Sequence, residues 1–376
     1  MTKTLGRYSF GVGDRFGLQG KAQLKAFILA GQQGVDITPV WNKSKREHST
    51  IGTSPGDVRT EADNATSASG WNRDYCVDAD HINLACVDEF ITPCDFFTID
   101  IADTLSQGLE QAADEAALIY NHILQTKGDT PFVTEISMDE TDKPQLPDEL
   151  FDMLRLLAER NIPVQTIAPR FSGRFNKGVE YVGNPDEFAA EFRADAEVLR
   201  RAADEFGLPQ DLKLSLHSGS DKFAIYPAIG KIIRDMNIGI HIKTAGTTWL
   251  EEVAGLAQAG GDALDMAKNI YRRALDKQSE LTEPYASVID INETQLPDAR
   301  TVDSWDAEMF VAALEHNSGN PHYNPSFRQL LHVGYKIAAQ LGTDYLDMIR
   351  ANHDLIGTRV TENIYTRHLK RLFPQL

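Results

Sequence analysis

Two short runs near the middle of the chain restrict its fold more than any other feature. In 212–217, Leu212, Leu214 and Leu216 fall on one face of an extended strand and Lys213, Ser215 and His217 on the other. In 238–243, Ile238, Ile240 and Ile242 oppose His241 and Lys243. In a half-exposed antiparallel sheet the polar faces would simply be wet. Here each run feeds a helical segment. That context points to parallel strands whose apolar faces pack on outer helices while their polar faces line the mouth of a barrel.

The alternation recurs upstream. Strand-like runs are predicted at 8–13, 36–41, 75–81, 96–102, 132–138 and 164–168. Helical patterns are predicted at 21–32, 105–127 and 147–161, from an Asn184 cap to Phe206, and at 225–236. With the two central runs this gives eight strands, the number that closes a (β/α)8 TIM-type barrel. The stretch 42–72, rich in Gly, Pro, Ser and Thr, reads as one long polar loop. The later part of the chain is helical in pattern, at 249–277 with a break at Gly260 and Gly261, and at 304–316, 327–341, 345–350 and 362–372. The expected organisation is a barrel core over residues 1–250 that carries the site, with a C-terminal helical extension over 251–376 packed on the same barrel.

A chain of 376 residues suits one large α/β domain with additions. Its net charge of -18 argues against nucleic-acid and anionic-membrane partners, because the long-range field repels both. A small anionic substrate is not excluded, since local Arg and Lys can meet it. The three cysteines, Cys76, Cys86 and Cys94, form no CxxC and fit a reducing compartment. No apolar window is long enough to span a membrane, and 1–5 lacks an apolar signal core. A cytoplasmic protein is expected, and a homo-oligomer is compatible with the sequence.

In a barrel of this type the site is built at the C-terminal ends of the strands. His81, His217 and His241 each fall at such an end. Neutral imidazoles suit Zn, Mn, Ni or Co, and three protein ligands with open positions are typical of a catalytic metal. One such histidine is more often a hydrogen-bonded core or rim residue; three at equivalent positions favour a divalent metal cation. Asp80, beside His81, is the candidate base, against the alternative of a strand-end acid bonded to backbone. Glu180 lies on a Gly-containing loop suited to closing over substrate, or is a solvated loop acid. Glu135 is mid-strand and inward, hence functional or paired with Lys213 or Lys243. Arg174, Lys177, Lys222 and Lys243 are candidates for holding a carboxylate or phosphate, with Ser218 beside them as a further substrate contact. Gly11, Gly13 and Gly17 do not make a GxGxxG, and no P-loop is present.

The segments Asp78-Ala-Asp-His81, Gly173-Arg-Phe-Asn-Lys-Gly-Val-Glu180, Leu216-His-Ser-Gly-Ser-Asp-Lys-Phe-Ala-Ile-Tyr226, His241-Ile-Lys-Thr-Ala-Gly246 and Gly319-Asn-Pro-His-Tyr-Asn-Pro-Ser-Phe-Arg328 resemble the tagaturonate/fructuronate epimerase family. The likeness runs from about residue 10 to 362. It implies a metal-dependent isomerase of hexuronate catabolism acting on a keto-hexuronate. It also implies a metal on His81, His217 and His241, Asp80 as proton acceptor and Glu180 as proton donor. Three competing readings stand beside it. One is another metal-dependent sugar aldolase or ketose isomerase. A second is a non-catalytic carbohydrate-binding barrel. The third is a metal-free lyase with Lys213 or Lys243 as a Schiff base.

Overall fold

The computed structural model describes residues 3–244 and 247–375; Ala245 and Gly246, which end one of the motifs above, lie outside the described residues. Eight parallel strands close into a barrel in sequence order. They are β1 (Tyr8–Val12), β2 (Ile37–Ser44), β3 (Cys76–Ile82), β4 (Phe96–Asp100), β5 (Val133–Ser137), β6 (Thr166–Ala168), β7 (Lys213–Leu216) and β8 (Ile240–Thr244). β8 pairs back onto β1, with Ser9 opposite His241 and Gly11 opposite Lys243.

The two faces of each strand divide as their alternation requires. Outward residues such as Phe97, Ile99, Ile136, Ile167, Leu214 and Ile242 join the helices in one continuous apolar core. Each such side chain contributes roughly 1.5–3 kcal/mol when fully buried. Inside the barrel Val40, Cys76, Phe96 and Val133 close the floor with Leu5. Above this floor the interior turns polar, with Asp78, Thr98, Glu135, Thr166 and Ser215 all buried. Gly11 is needed in this interior, because a Cβ there would come within 3.2 Å of the Lys243 backbone.

The outer helices start where local chemistry starts them. Pro147 and Pro185 open Pro147–Glu159 and Pro185–Phe206, and the Asn184 side chain accepts the Asp186 N–H. The stretch expected as one polar loop is instead the end of β2 followed by helices Lys45–Ile51 and Pro55–Ala68. Ser44 and Ser54 cap these helices, with Glu47 and Asp57 three residues on, and that cap spacing outweighs the turn-rich composition. The barrel-to-extension division at residue 250 falls inside Thr247–Ala259. Trp249, Tyr271, Phe310, Phe327 and Tyr345 join the same core as the barrel helices. A helix at His353–Glu362, absent from the sequence expectation, precedes a π-helical segment at Asn363–Leu369.

The later helices also hold the loops at the C-terminal end of the barrel. The Lys177 N–H donates to the Val288 carbonyl at 2.8 Å. The Arg328 guanidinium donates to the Gly178 carbonyl and to Asp221 Oδ2, the latter at 2.9 Å.

Asp195, on the inner side of Pro185–Phe206, is 1% exposed, and its Oδ1 has no hydrogen-bond partner among the described residues. Burial, then the nearby Glu191 carboxylate, pushes its carboxyl up to about 7. The folded chain therefore keeps a proton that the unfolded chain loses near pH ~4, and stability falls as the pH rises from there to about 7. Asp195→Asn is expected to raise the thermal midpoint at pH 8 by several degrees and by much less at pH 5. An equal effect at both values excludes this titration.

Candidate active site at the barrel mouth

The inward polar residues converge on one ammonium. Lys243 Nζ, on β8, lies 2.7 Å from Asp78, 2.8 Å from Asp80 and 3.2 Å from Glu135. Thr98 donates its hydroxyl to Asp78 at 2.9 Å, and Thr166 donates to Glu135 at 2.7 Å. Burial opposes the charge on Lys243, but the three carboxylates outweigh it and hold the ammonium well above its ordinary value. For Asp80 burial is likewise outweighed, first by Lys243 and then by His81, so its carboxyl sits far below the usual range. Asp78 goes the other way. Its burial, with Asp80 and Glu135 close by, outweighs Lys243 and carries it up to about 7.

A second group sits directly above. The His81 and His217 rings lie 5.0 Å apart, edge to face. Ligand-type atoms of His81, Asp139 and His217 all fall within 4.8 Å of one another. The outer nitrogens are held by acids, His81 Nδ1 by Asp100 at 3.3 Å and His217 Nε2 by Glu135 at 2.8 Å. That leaves His81 Nε2 and His217 Nδ1 for the shared point, with Asp139 Oδ1 at 3.0 Å from the latter. Carboxylates that fix the far nitrogen of each imidazole are the usual support of a histidine-bound metal. The donor set of two imidazoles and one carboxylate therefore fits a divalent cation. Without one, burial is outweighed by Asp80, Asp100 and Asp139 at His81, and by Asp139 and Glu135 at His217; the imidazoles rise to about 10 and about 9.

The backbone is bent to achieve this. The β3–β4 register shifts between Ala79 and Ile82, and His81 has φ 53°. Ser218, just after β7, has φ 49°. Non-glycine residues in this region cost on the order of 1–3 kcal/mol each and cluster at functional sites. Asp80 and His81, the two residues inside this register shift, both line the mouth.

The mouth opens into a cavity of about 560 Å³, lined by Asp80, His81, Asp100, Asp139, His217 and Lys243 among others. A side lobe of about 250 Å³ adjoins it and is lined by Arg170, Arg174 and Tyr285. Arg46, Asp139, Glu140, Lys177, His217 and Ser218 border both. This size suits a ligand of a few hundred daltons.

Asp80, His81, His217, Ser218, Lys177 and Lys243 are thus brought together, as expected from their strand-end positions. Five other expectations are corrected. His241 lies two residues below Lys243, roughly 6.6 Å deeper at strand rise. Its ring packs on Phe96, its Nδ1 bonds Ser9 at 2.9 Å, and burial pushes it down to about 3. Asp139 stands instead as the third ligand-type side chain. Glu180 accepts the backbone N–H groups of Tyr181 and Ala224, at 2.8 and 3.2 Å, and lines neither lobe. Lys222 is buried and donates to the carbonyls of Asn176, Val179 and Ser220, so it has no hydrogen left for a substrate. Glu135 is fully buried among Thr98, Thr166, His217 and Lys243, where it orients His217 instead of meeting a ligand. Arg174 reaches the side lobe but pairs with Asp290 at 3.0 Å.

Sequence reasoning missed Asp139 and Arg46. The signal for Asp139 was its place two residues past β5, where a barrel builds its site. Arg46 is hidden in the sequence because the helix that presents it lies in a stretch with the composition of a loop.

Lys243→Met is expected to lower stability by about 3–5 kcal/mol in urea unfolding, since it strands three buried carboxylates. A loss under ~1 kcal/mol would show that the acids carry protons in place of the ammonium.

The comparisons agree with this architecture. A tagaturonate/fructuronate epimerase of Thermotoga maritima is 27% identical over 97% of this chain and 81% of its own. The crystal structure of fructuronate-tagaturonate epimerase UxaE from Cohnella laeviribosi superposes with a TM-score of 0.81 at 23% identity, covering 99% of this chain and 82% of that one. A probable tagatose 6 phosphate kinase from Sinorhizobium meliloti gives a TM-score of 0.55 at 13% identity, over 98% and 100% of the two chains. These two structural likenesses show the barrel fold. The model of the UxaE tagaturonate epimerase family matches residues 2–118 and 109–372, and the chain belongs to that family.

Proposed function

We propose that this chain is a divalent-metal-dependent isomerase that interconverts D-tagaturonate and D-fructuronate. The observation that carries the reading is the His81–Asp139–His217 group beside an ionised Asp80, in a polar cavity at the C-terminal end of a barrel of this family. His81, Asp139 and His217 would hold the cation, which supplies Lewis-acid stabilisation of negative charge developing on the substrate. Zn, Mn, Ni and Co all suit two imidazoles and a carboxylate.

The two sugars differ at the carbon β to the ketone. Enolisation acidifies only the α carbons, so it does not reach that centre. Retro-aldol cleavage does. Asp80 takes the proton from the hydroxyl on the inverting carbon, whose C–O bond becomes an aldehyde C=O. The bond to the α carbon breaks, and its electron pair moves toward the ketone oxygen as an enolate. The aldehyde turns, the α carbon re-adds to its other face, and the new alkoxide takes back the proton that Asp80 holds. Lys243 keeps Asp80 ionised between turnovers and fixes its direction. Ser218, after β7, stands across the barrel from β3 and contributes a hydroxyl to the opposite wall. The barrel and the helices after residue 250 act as one unit in this reading, because the late helices pin Lys177, Gly178 and Asp221 at the mouth.

Chelator-stripped protein should leave D-tagaturonate unchanged by NMR, and added Mn, Zn, Ni or Co should restore D-fructuronate. No product with any metal, in folded protein, sinks the reading. Asp80→Asn should cut kcat by about 10²–10⁴ with metal content intact. Asp139→Asn should weaken metal binding by ~10-fold or more, while His241→Gln should leave metal stoichiometry unchanged. A metal lost from His241→Gln, and kept by Asp139→Asn, would restore the three-histidine site.

A further inference from the structure

Most cations around the cavity already have partners. Lys243 is held by three acids, Lys45 by Glu89, and Arg174 by Asp290. Two are left over. Among the described residues Lys177 and Arg46 make no ion pair, although both border both lobes of the cavity. The chain carries 55 acidic and 37 basic residues, so free acids are plentiful and an unpaired pair of cations is not for want of them. Burial, with Arg15 and Arg46 nearby, presses the Lys177 ammonium below its ordinary value despite Tyr285 and Glu140. Like charges that border the same cavity are costly alone and favourable with an anion between them.

The Arg46 side chain and the Lys177 backbone are both held in place. The Arg46 guanidinium lies over the Tyr285 ring, 4.8 Å from its centroid. Tyr285 is itself bonded to Tyr335 at 2.8 Å between hydroxyls. The Lys177 backbone is tied to Val288. The late helices therefore hold both members of the pair next to His217, Asp139 and Ser218.

We propose that Lys177 and Arg46 form the carboxylate-binding subsite of the cavity and hold the acid end of the sugar while its reacting carbons lie beside Asp80 and the His81–Asp139–His217 group. This rests on the epimerase reading for the identity of the sugar acid. It has a consequence for the cleaved state. The carboxylate is the second carbon beyond the one that inverts, so it stays on the aldehyde fragment. Anchoring that end lets the aldehyde carbon turn about its bond to the next carbon without leaving. The ketone fragment is the other half, and nothing about its charge recruits it to Lys177 or Arg46.

The test uses the full chain with metal bound. Two unreactive probes, D-galactonate and galactitol, differ only in having or lacking the carboxylate. By calorimetry the wild type should bind the hexonate about tenfold or more tightly than the hexitol. Lys177→Met and Arg46→Met should each bring the ratio toward one, and Lys177→Arg should keep it. With D-tagaturonate, both Met variants should raise KM about tenfold or more and release three-carbon fragments visible by NMR. Arg46 is exposed, so its variant keeps the test open if Lys177→Met does not fold. No hexonate preference in the wild type, or a preference unchanged in both folded Met variants, overturns the subsite. A wild type that discriminates the probes but does not turn over D-tagaturonate keeps the subsite and overturns the epimerase reading instead.

Discussion

The Lys243 ammonium is the contact on which the rest of the site depends. An isolated charge this deep would cost several kcal/mol, and Asp78, Asp80 and Glu135 are what make it tolerable. Each acid then has a fixed direction. Asp80 is turned up toward the mouth beside His81, while Glu135 reaches across the barrel to His217. Through Glu135 the position of Lys243 reaches the metal-type group, and through Asp80 it reaches the reacting proton. Gly11 belongs to the same constraint, since its missing Cβ leaves the space through which Lys243 passes. Such a network is weak evidence for stability as such. What it secures is one arrangement of acids among several that a polar barrel interior would otherwise permit.

Period-two alternation made the barrel legible, because a strand buried against helices on one face and facing a mouth on the other must show it. Leu214 and Ile242 on the core side, with His217 and Lys243 on the inner side, were enough to set both faces of β7 and β8. Depth along a strand was not legible. His241 and Lys243 share a face and look equivalent in sequence, yet one lies on the floor against Phe96 and the other reaches the cavity. Reach was equally hidden at Lys222, where three backbone carbonyls from two loops converge on one ammonium. No local pattern announces such a convergence. The helices Lys45–Ile51 and Pro55–Ala68 were lost for a different reason, since Gly, Pro and Ser were weighed as loop formers when two of the serines were caps.

The late helices do more than cover the outer core. Tyr285 carries Arg46, Val288 carries Lys177, and Arg328 joins Gly178 to Asp221. Asp221 itself has φ 62° and follows β7 by a few residues. The loops after β2, β6 and β7 are therefore tied at their tips to the same part of the chain. A bare (β/α)8 barrel leaves such loops free to move independently. Here they are cross-braced, which suits a site that must hold a ligand at two points.

The overall charge and the local charge make opposite demands on an anionic ligand. A net -18 repels a sugar acid at long range and lowers its rate of encounter. At physiological ionic strength that field fades over about 8 Å, so surface acids farther than this from the cavity contribute little inside it. Inside the cavity the relevant charges are the few within reach. Asp80 and Asp139 are offset by Lys243 and the imidazoles, whereas Lys177 and Arg46 have no carboxylate of their own. Against the one carboxylate of Glu140, which borders the same two lobes, these two cations leave a positive balance in a protein that is negative overall. An acidic exterior and an acid-binding cavity are compatible because screening separates their ranges, and because Asp80, Asp100 and Asp139 are already committed to Lys243 and the imidazoles.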